Sequence, residues 1–341
     1  MLNIELKLNP KIFEKDVEMQ PIRKGFGEGL VEAAEADRHV VGLCADLTES
    51  TQMLAFRNKF PERFVEIGVA EQNLAAVASG MAAMGKIPFM TSYATFSPGR
   101  NWEQIRTTIC YNNQPVKIVG SHAGVSVGPD GGTHQAIEDI AITRVLPRMV
   151  VICPCDAEEA RKAVLAAAKT PDPTYIRLSR EKTPVMTTQD TPFEIGKAAI
   201  FFRSDTLGRT DVKRNTPLDV GIIATGALVH KALTAARELD RAGKKVAVMN
   251  ISTVKPLDEM AVIQLAREAG AIVTVEEHQI NGGMGSAVAE CLAKNYPVPM
   301  EFIGVKDQFG QSGNPDELIE HYGMGESHIR DAANKVMMRN K

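Results

Sequence analysis

Two histidines and an aspartate share one glycine-rich run, Ser121-His122-Ala123-Gly124-Val125-Ser126-Val127-Gly128-Pro129-Asp130-Gly131-Gly132-Thr133-His134-Gln135. Glycine lets a backbone approach a ligand closely. Imidazole titrates near neutrality, so it suits proton handling beside a carbonyl. The rival use of His122 and His134 is zinc. That reading needs a third or fourth well-spaced ligand, and no nearby Cys or Glu is an obvious one. A second candidate is Glu71, which stands where a short apolar strand ending near Gly68 turns into a helix. The helix dipole favours an ionised carboxylate there, whether for chemistry or only for helix stability. Tyr93 and Phe96 are spaced like one wall of an aromatic pocket, or like ordinary core. Arg23, at a helix start, and Arg180 carry the fixed fork of donors that suits phosphate. Asp46 and Ser50 lie in the polar stretch Ala45-Asp46-Leu47-Thr48-Glu49-Ser50, where an Asp also serves simply to shape a turn.

Alternating strands and helices must position these residues. Val40–Cys44, Phe64–Gly68, Lys86–Met90, Val116–Gly120, Arg148–Ile152 and Thr174–Leu178 read as buried strands, with helices over Pro21–Ala36, Glu71–Ala83, around Trp102–Ile105 and Ala157–Lys169. Such alternation predicts an α/β fold with a mostly parallel sheet covered on both faces. The candidates cluster after strand carboxyl ends, where open α/β sheets bind ligands. The run Gly25-Phe26-Gly27-Glu28-Gly29 imitates a nucleotide fingerprint but is read as following no strand. No charge occurs from Asn73 to Gly85, and small residues cover several faces of that helix. It is expected to be buried and closely packed, between subunits or within one.

The expected organisation is a lead-in over 1–18, a first domain over 19–182, a polar linker over 183–195 and a second α/β domain over 196–341. In the second domain, strands are expected at Val220–Ala224, Lys245–Met249, Ala271–Val275 and Met300–Ile303, with helices at Ala227–Ala242, Asp258–Glu268 and Gly285–Lys294. The charged segment Phe201–Pro217 reads as an exposed loop or hairpin.

Composition narrows the function classes. The net charge of −3 comes with no basic block, which gives no case for nucleic acid or an anionic membrane. No segment approaches 18 uninterrupted apolar residues, so no membrane span is expected. Cys44, Cys110, Cys153, Cys155 and Cys291 are mostly scattered in apolar segments, and Cys153-Pro154-Cys155 is too tight for a CxxC site. Reduced core thiols predict a cytoplasmic protein. The charged N-terminal residues differ from the apolar run of a secretion signal.

Glu66-Ile67-Gly68-Val69-Ala70-Glu71-Gln72-Asn73 resembles the pyrimidine-domain signature of transketolases and deoxyxylulose-phosphate synthases. The resemblance extends to Ala45-Asp46-Leu47-Thr48-x-Ser50, to His122-x7-Asp130-Gly131-x-Thr133-His134-Gln135 and to Leu178-Ser179-Arg180. It implies that Glu71 holds N1′ of the aminopyrimidine of thiamine diphosphate, and that Tyr93 and Phe96 flank that ring. A carboxylate at N1′ supports the imino tautomer whose nitrogen takes the proton from the reactive carbon. The resemblance puts Asp46 near the cofactor. Arg23, Ser50, His122 and Arg180 would meet the sugar phosphate, Asp130 a substrate hydroxyl, and His134 the carbonyl. It fails one turn after Phe96, where Ser97-Pro98-Gly99 stands in place of a third aromatic, so the pocket rim and the acceptor are expected to differ. The runs Glu276–Gly285 and Asp307–Gly313 resemble the family's C-terminal domain and receive no catalytic role.

The likeness runs from about Pro21 to Met338, the C-terminal half of a full-length transketolase. The Gly-Asp-Gly of the family's diphosphate domain is missing. The resemblance therefore implies the C-terminal subunit of a split transketolase. Its partner would be an N-terminal subunit that binds the diphosphate and Mg²⁺ or another divalent metal, in an α2β2 assembly acting on sugar phosphates. A deoxyxylulose-phosphate synthase-like enzyme, a 2-oxoacid dehydrogenase β-type subunit and a non-catalytic scaffold subunit stay open as alternatives.

Overall fold

The computed structural model describes residues 1–204 and 217–339. Met19–Pro21 (β1) leads into Ile22–Ala36 (α1), followed by Val40–Cys44 (β2), Leu54–Lys59 (α2), Phe64–Glu66 (β3), Glu71–Ala83 (α3) and Ile87–Tyr93 (β4). Trp102–Gln104 (α4) runs on as a π-helical stretch, Ile105–Tyr111. Then come Lys117–Ser121 (β5), Asp139–Arg144 (α5), Val150–Ile152 (β6), Ala157–Ala168 (α6), Thr174–Arg177 (β7) and Lys182–Pro184 (β8). The second half holds Ala199–Arg203 (β9), Val220–Ala224 (β10), Val229–Arg241 (α7), Val246–Asn250 (β11), Thr253–Lys255 (β12) and Glu259–Ala269 (α8). It ends with Ile272–Gln279 (β13), Met284–Asn295 (α9), Met300–Val305 (β14), Pro315–His321 (α10) and Glu326–Arg339 (α11).

The first sheet has the order β12-β6-β7-β5-β4-β2-β3, parallel throughout except β12. Every residue of β2 and β5 is buried, as parallel strands covered on both faces require. The register pairs Tyr93 with Ser121 and Cys44 with Thr91. The carboxyl ends of β2, β4 and β5 therefore open side by side, and the loops bearing Asp46, Phe96 and His122 leave from one edge. On one face, α1 packs directly on α6. A Cβ on Gly25 would lie 1.7 Å from the Ala157 carbonyl oxygen, so the glycine run serves helix contact. That run does follow a strand, the three-residue β1, which is paired with β8. Asp156 caps α6 by accepting from the Glu159 N–H at 2.8 Å.

The second sheet, β14-β13-β10-β11-β9, is parallel except for β9. Strand β12 comes from the second half yet pairs with β6 of the first, so one sheet is completed by both halves. One apolar cluster spans the join, from Ile140, Val151 and Cys153 to Met249, Ile251 and Met284.

Three regions differ from their expected character. Residues 183–195 are anchored in part: Met186 is fully buried, and the buried Asp156 carboxylate accepts from the Met186 and Thr187 N–H groups at 2.7 and 2.6 Å, while Gln189, Asp190, Pro192 and Glu194 are exposed. Phe201 and Phe202 belong to the buried part of β9 instead of an exposed loop; residues 205–216 of that charged segment lie outside the described residues. The lead-in docks on the second half, with Leu2 bridging Phe202 and Ile12 fully buried. Helix α3 buries Leu74, Ala75, Ala78, Ser79 and Ala82 but exposes Asn73, Ala76, Gly80 and Ala83. The exposed face is uncharged and its residues from Ala76 on are small, so it can meet another chain at close range. No helix among the described residues is long and apolar enough to cross a membrane. All five cysteines are buried and unpaired.

Candidate active site

Glu71 is the first residue of α3, and its side chain is 4 % exposed. Its Oε2 lies 3.5 Å from a guanidinium nitrogen of Arg100. The backbone beneath it is fixed by the fully buried Asn101, which donates to the Glu71 carbonyl at 3.0 Å and to Ser97 Oγ at 3.1 Å. Arg100 also lies over the Phe96 ring, 4.6 Å from its centroid. One exposed cation thus touches both the carboxylate and the aromatic wall.

The wall is Tyr93 and Phe96, their rings nearly parallel at 17° with centroids 6.3 Å apart. His122 stacks on Tyr93 at 3.9 Å, and His134 meets Phe96 edge-on at 5.3 Å. Both imidazoles of the glycine-rich loop therefore pack against the two predicted aromatics. The His134 Nδ1 is 2.9 Å from Thr133 Oγ1.

Arg23 reaches His122 and the Asp46–Ser50 loop. Its guanidinium donates to the Ser50 carbonyl at 2.6 Å and lies 3.4 Å from His122 Nε2. Arginine only donates, so Nε2 is the bare nitrogen and Nδ1 carries the proton toward Ser121 Oγ, 2.9 Å away. Burial, then the charges of Arg23, Arg180 and His134, push His122 down to about 3. Burial and the neighbouring Arg180 lower Arg23 as well. Arg180 donates to the Val127 carbonyl at 2.7 Å and stands 3.5 Å from Glu181. Two guanidiniums and a neutral imidazole held this closely repel added positive charge and favour an anion. The Nε of Arg23 is buried and has no hydrogen-bond partner among the described residues.

Seven of the ten predicted residues are thus linked by contact or by charge: Glu71, Tyr93, Phe96, Arg23, His122, His134 and Arg180. Ser50 joins through its backbone carbonyl. Asp46 and Asp130 are exposed, and their carboxylates make no hydrogen bond or ion pair with this cluster among the described residues. Asp46 adopts a left-handed φ of 57°. A residue missed in the sequence holds it there: Glu66 accepts from the N–H groups of Asp46 and Gly68 at 2.7 and 2.9 Å and from Thr48 Oγ1 at 3.1 Å. Arg100 and Asn101 were missed too. Their signal was position: both follow directly on the turn where the family pattern breaks.

Residues 18–186 match the model for the transketolase pyrimidine binding domain, and residues 208–329 match that for the transketolase C-terminal domain. A chain of Methanocaldococcus jannaschii, provisionally named a transketolase C-terminal section, is 42 % identical over 90 % of this chain and 93 % of its own length. This chain belongs to the transketolase family. A 6-deoxy-6-sulfo-D-fructose transketolase subunit from Clostridium sp. is 38 % identical over 96 % of this chain and 98 % of its own. Among solved structures, a split-gene transketolase described as an inactive β4 tetramer superposes with a TM-score of 0.84. It is 40 % identical and matches 94 % of this chain and 99 % of that one.

Transketolases as a family imply thiamine diphosphate. The residues present fit its pyrimidine half: a buried carboxylate at a helix start, beside two flat aromatic faces. The sequence has no Gly-Asp-Gly for the diphosphate half.

Proposed function

We propose that this chain is the C-terminal subunit of a transketolase that transfers a two-carbon ketol unit from a ketose phosphate to an aldose phosphate. A separate N-terminal subunit completes the site with the diphosphate-binding domain and its Mg²⁺ or equivalent metal. Two such pairs form an α2β2 enzyme in the cytoplasm. The observation that carries this reading is the joining of Glu71, the Tyr93–Phe96 wall and the cluster of Arg23, Arg180 and the neutral His122 at one sheet edge. The exposed small-residue face of α3, next to Glu71, supports a chain-to-chain site.

Thiamine diphosphate, when bound, supplies a nucleophilic carbon able to cleave the bond beside a ketone. Glu71 would hold the aminopyrimidine, with Tyr93 and Phe96 against its faces. Asp46 would stand near the cofactor and Ser50 near the sugar phosphate. Arg23 and Arg180 bind and orient the terminal phosphate through charge-assisted hydrogen bonds. His122 lends its bare Nε2, and an arriving phosphate dianion favours a proton on that nitrogen by offsetting the two arginines. His134 handles a proton near the substrate carbonyl, and Asp130 accepts from a substrate hydroxyl.

The test is calorimetry of thiamine diphosphate with Mg²⁺ against this chain alone and against this chain mixed with the N-terminal subunit. Binding is expected only in the mixture. Tight, metal-dependent binding to this chain alone overturns the split-site reading.

A further inference from the structure

The loop from Ser121 to Gln135 carries His122, Asp130 and His134, and two of its anchors, Glu277 and the Gln311 carbonyl, come from the second domain. Near its start, Glu277 Oε1 accepts from the Ser126 N–H at 2.7 Å, across 151 residues of sequence. The Glu277 carboxylate also fills the space a side chain would need at residue 124. A Cβ there would lie 2.2 Å from Glu277 Oε1, and Gly124 holds a φ of +90°. The loop base is closed by the Gly124 N–H on the Ala136 carbonyl at 2.8 Å. Arg177 clamps both sides of that closure, donating to the Glu277 carbonyl at 2.8 Å and the Ala136 carbonyl at 3.3 Å. At the loop's far end, Gln135 Nε2 lies 3.0 Å from the Gln311 carbonyl and 3.0 Å from that of Val125.

The next residue carries the link onward. Ser126 donates its N–H to Glu277, and the adjoining Val127 carbonyl accepts from Arg180 at 2.7 Å. Glu277 therefore fixes a peptide segment that in turn fixes a guanidinium of the cation cluster. Glu277 is 3 % exposed, and its other oxygen, Oε2, is buried with no partner among the described residues. A buried carboxylate with half its capacity idle is costly as packing alone. Its placement is explained if the single bond to Ser126 is what the second domain supplies.

We propose that Glu277 is a positioning residue of the second domain that sets the Ser126–Val127 segment, and through the Val127 carbonyl the Arg180 side chain, for binding the phosphate end of the substrate. The proposal rests on the transketolase reading above. It gives the C-terminal domain a part in substrate affinity with no group of its own at the reacting atoms.

The experiment uses the complete complex with its N-terminal subunit. Steady-state kinetics are run with a ketose phosphate donor and with hydroxypyruvate, a ketol donor without phosphate. Glu277→Asp keeps the charge facing Arg177 but retracts the carboxylate by one methylene from Ser126. Both Glu277→Asp and Glu277→Ala are expected to raise KM for the ketose phosphate about tenfold, with kcat, the hydroxypyruvate KM and cofactor affinity changed less than about threefold. Glu277→Gln keeps an acceptor oxygen and is expected to restore KM. Unchanged KM in a folded Glu277→Asp complex overturns the proposal. So does an equal loss with both donors, which marks a structural role. Failure of the wild-type complex to turn over any sugar phosphate defeats the transketolase reading instead, and is read before any variant.

Discussion

Arg177→Met tests whether the buried network between the domains holds the site together. Arg177 is 7 % exposed and Asp139 1 %. The Arg177 Nε donates to Asp139 Oδ2 at 2.9 Å, and the Tyr175 hydroxyl donates to the same oxygen at 2.7 Å. Methionine fills similar volume but brings no donors. It strands a buried carboxylate beside one hydroxyl and leaves the Ala136 and Glu277 carbonyls short of a partner. Removing one member of a buried ion pair costs about 3–5 kcal/mol. Unfolding entropy of about 2.1 cal/mol/K per residue gives roughly 0.7 kcal/mol/K for the 341 residues. The expected fall in the unfolding midpoint is therefore about 4–7 °C by scanning calorimetry.

The companion variant separates charge from packing. Asp139→Asn combined with Arg177→Met removes the stranded charge while an amide oxygen still accepts from Tyr175. Non-additivity within one network is typically about 0.5–3 kcal/mol. The double variant is expected to melt about 0.7–4 °C above the midpoint that the two single losses would give if they added. A single-variant shift below about 1 °C refutes the reasoning. So does a double variant whose loss equals the sum of the two single losses.

Glu71→Ala in the reconstituted complex is expected to lower kcat by about 10²–10⁴-fold while leaving assembly intact by gel filtration; near-normal turnover refutes the role of Glu71. Ala76→Arg puts a cation on the exposed face of α3. The variant chain should keep its own circular-dichroism spectrum and melting midpoint yet fail to co-elute with the N-terminal subunit, and normal co-elution removes α3 from the interface. Burial pushes Glu276 up to about 7, against the pull of the Gly285 and Met284 amides. Its native pKa lies above the unfolded value of 4.5, so the native state binds more protons between those pH values and stability falls as pH rises through them. The midpoint of the wild type relative to Glu276→Gln should drop between pH 5 and 8, by an equivalent of at most about 3 kcal/mol; a pH-independent difference rules the titration out.

How much of this was legible in the sequence depended on the range of the interaction. Strands β2, β4, β5 and β10 and helices α1, α3, α6 and α8 follow local composition and pattern, with side-chain caps on α6 and α8, and they formed within a few residues of where the pattern put them. Asp258 before α8 and Gly270 after it, at φ 64°, are such local signals. Strand β12 has only three residues and pairs with a strand about a hundred positions earlier, so no local pattern announces it. The two faces of α3 are chemically alike, because a helix buried within a domain and one reserved for another chain both exclude charge; only the fold tells which face is covered. The site divides in the same way. His122, Asp130 and His134 stand together in the chain, and the spacing of one loop exposes them. Arg100 meets Glu71 across 29 positions, and only the fold brings them to 3.5 Å. Glu277 lies in the run Glu276–Gly285, which reads as turn-rich, suited to packing or an interface, and without a catalytic role. The structure buries it at the end of β13, because its partners, Ser126 and Arg177, sit in the other domain. Contacts between residues some 150 positions apart leave no local pattern, and here such a contact, Glu277 to Ser126, connects the second domain to the 121–135 loop.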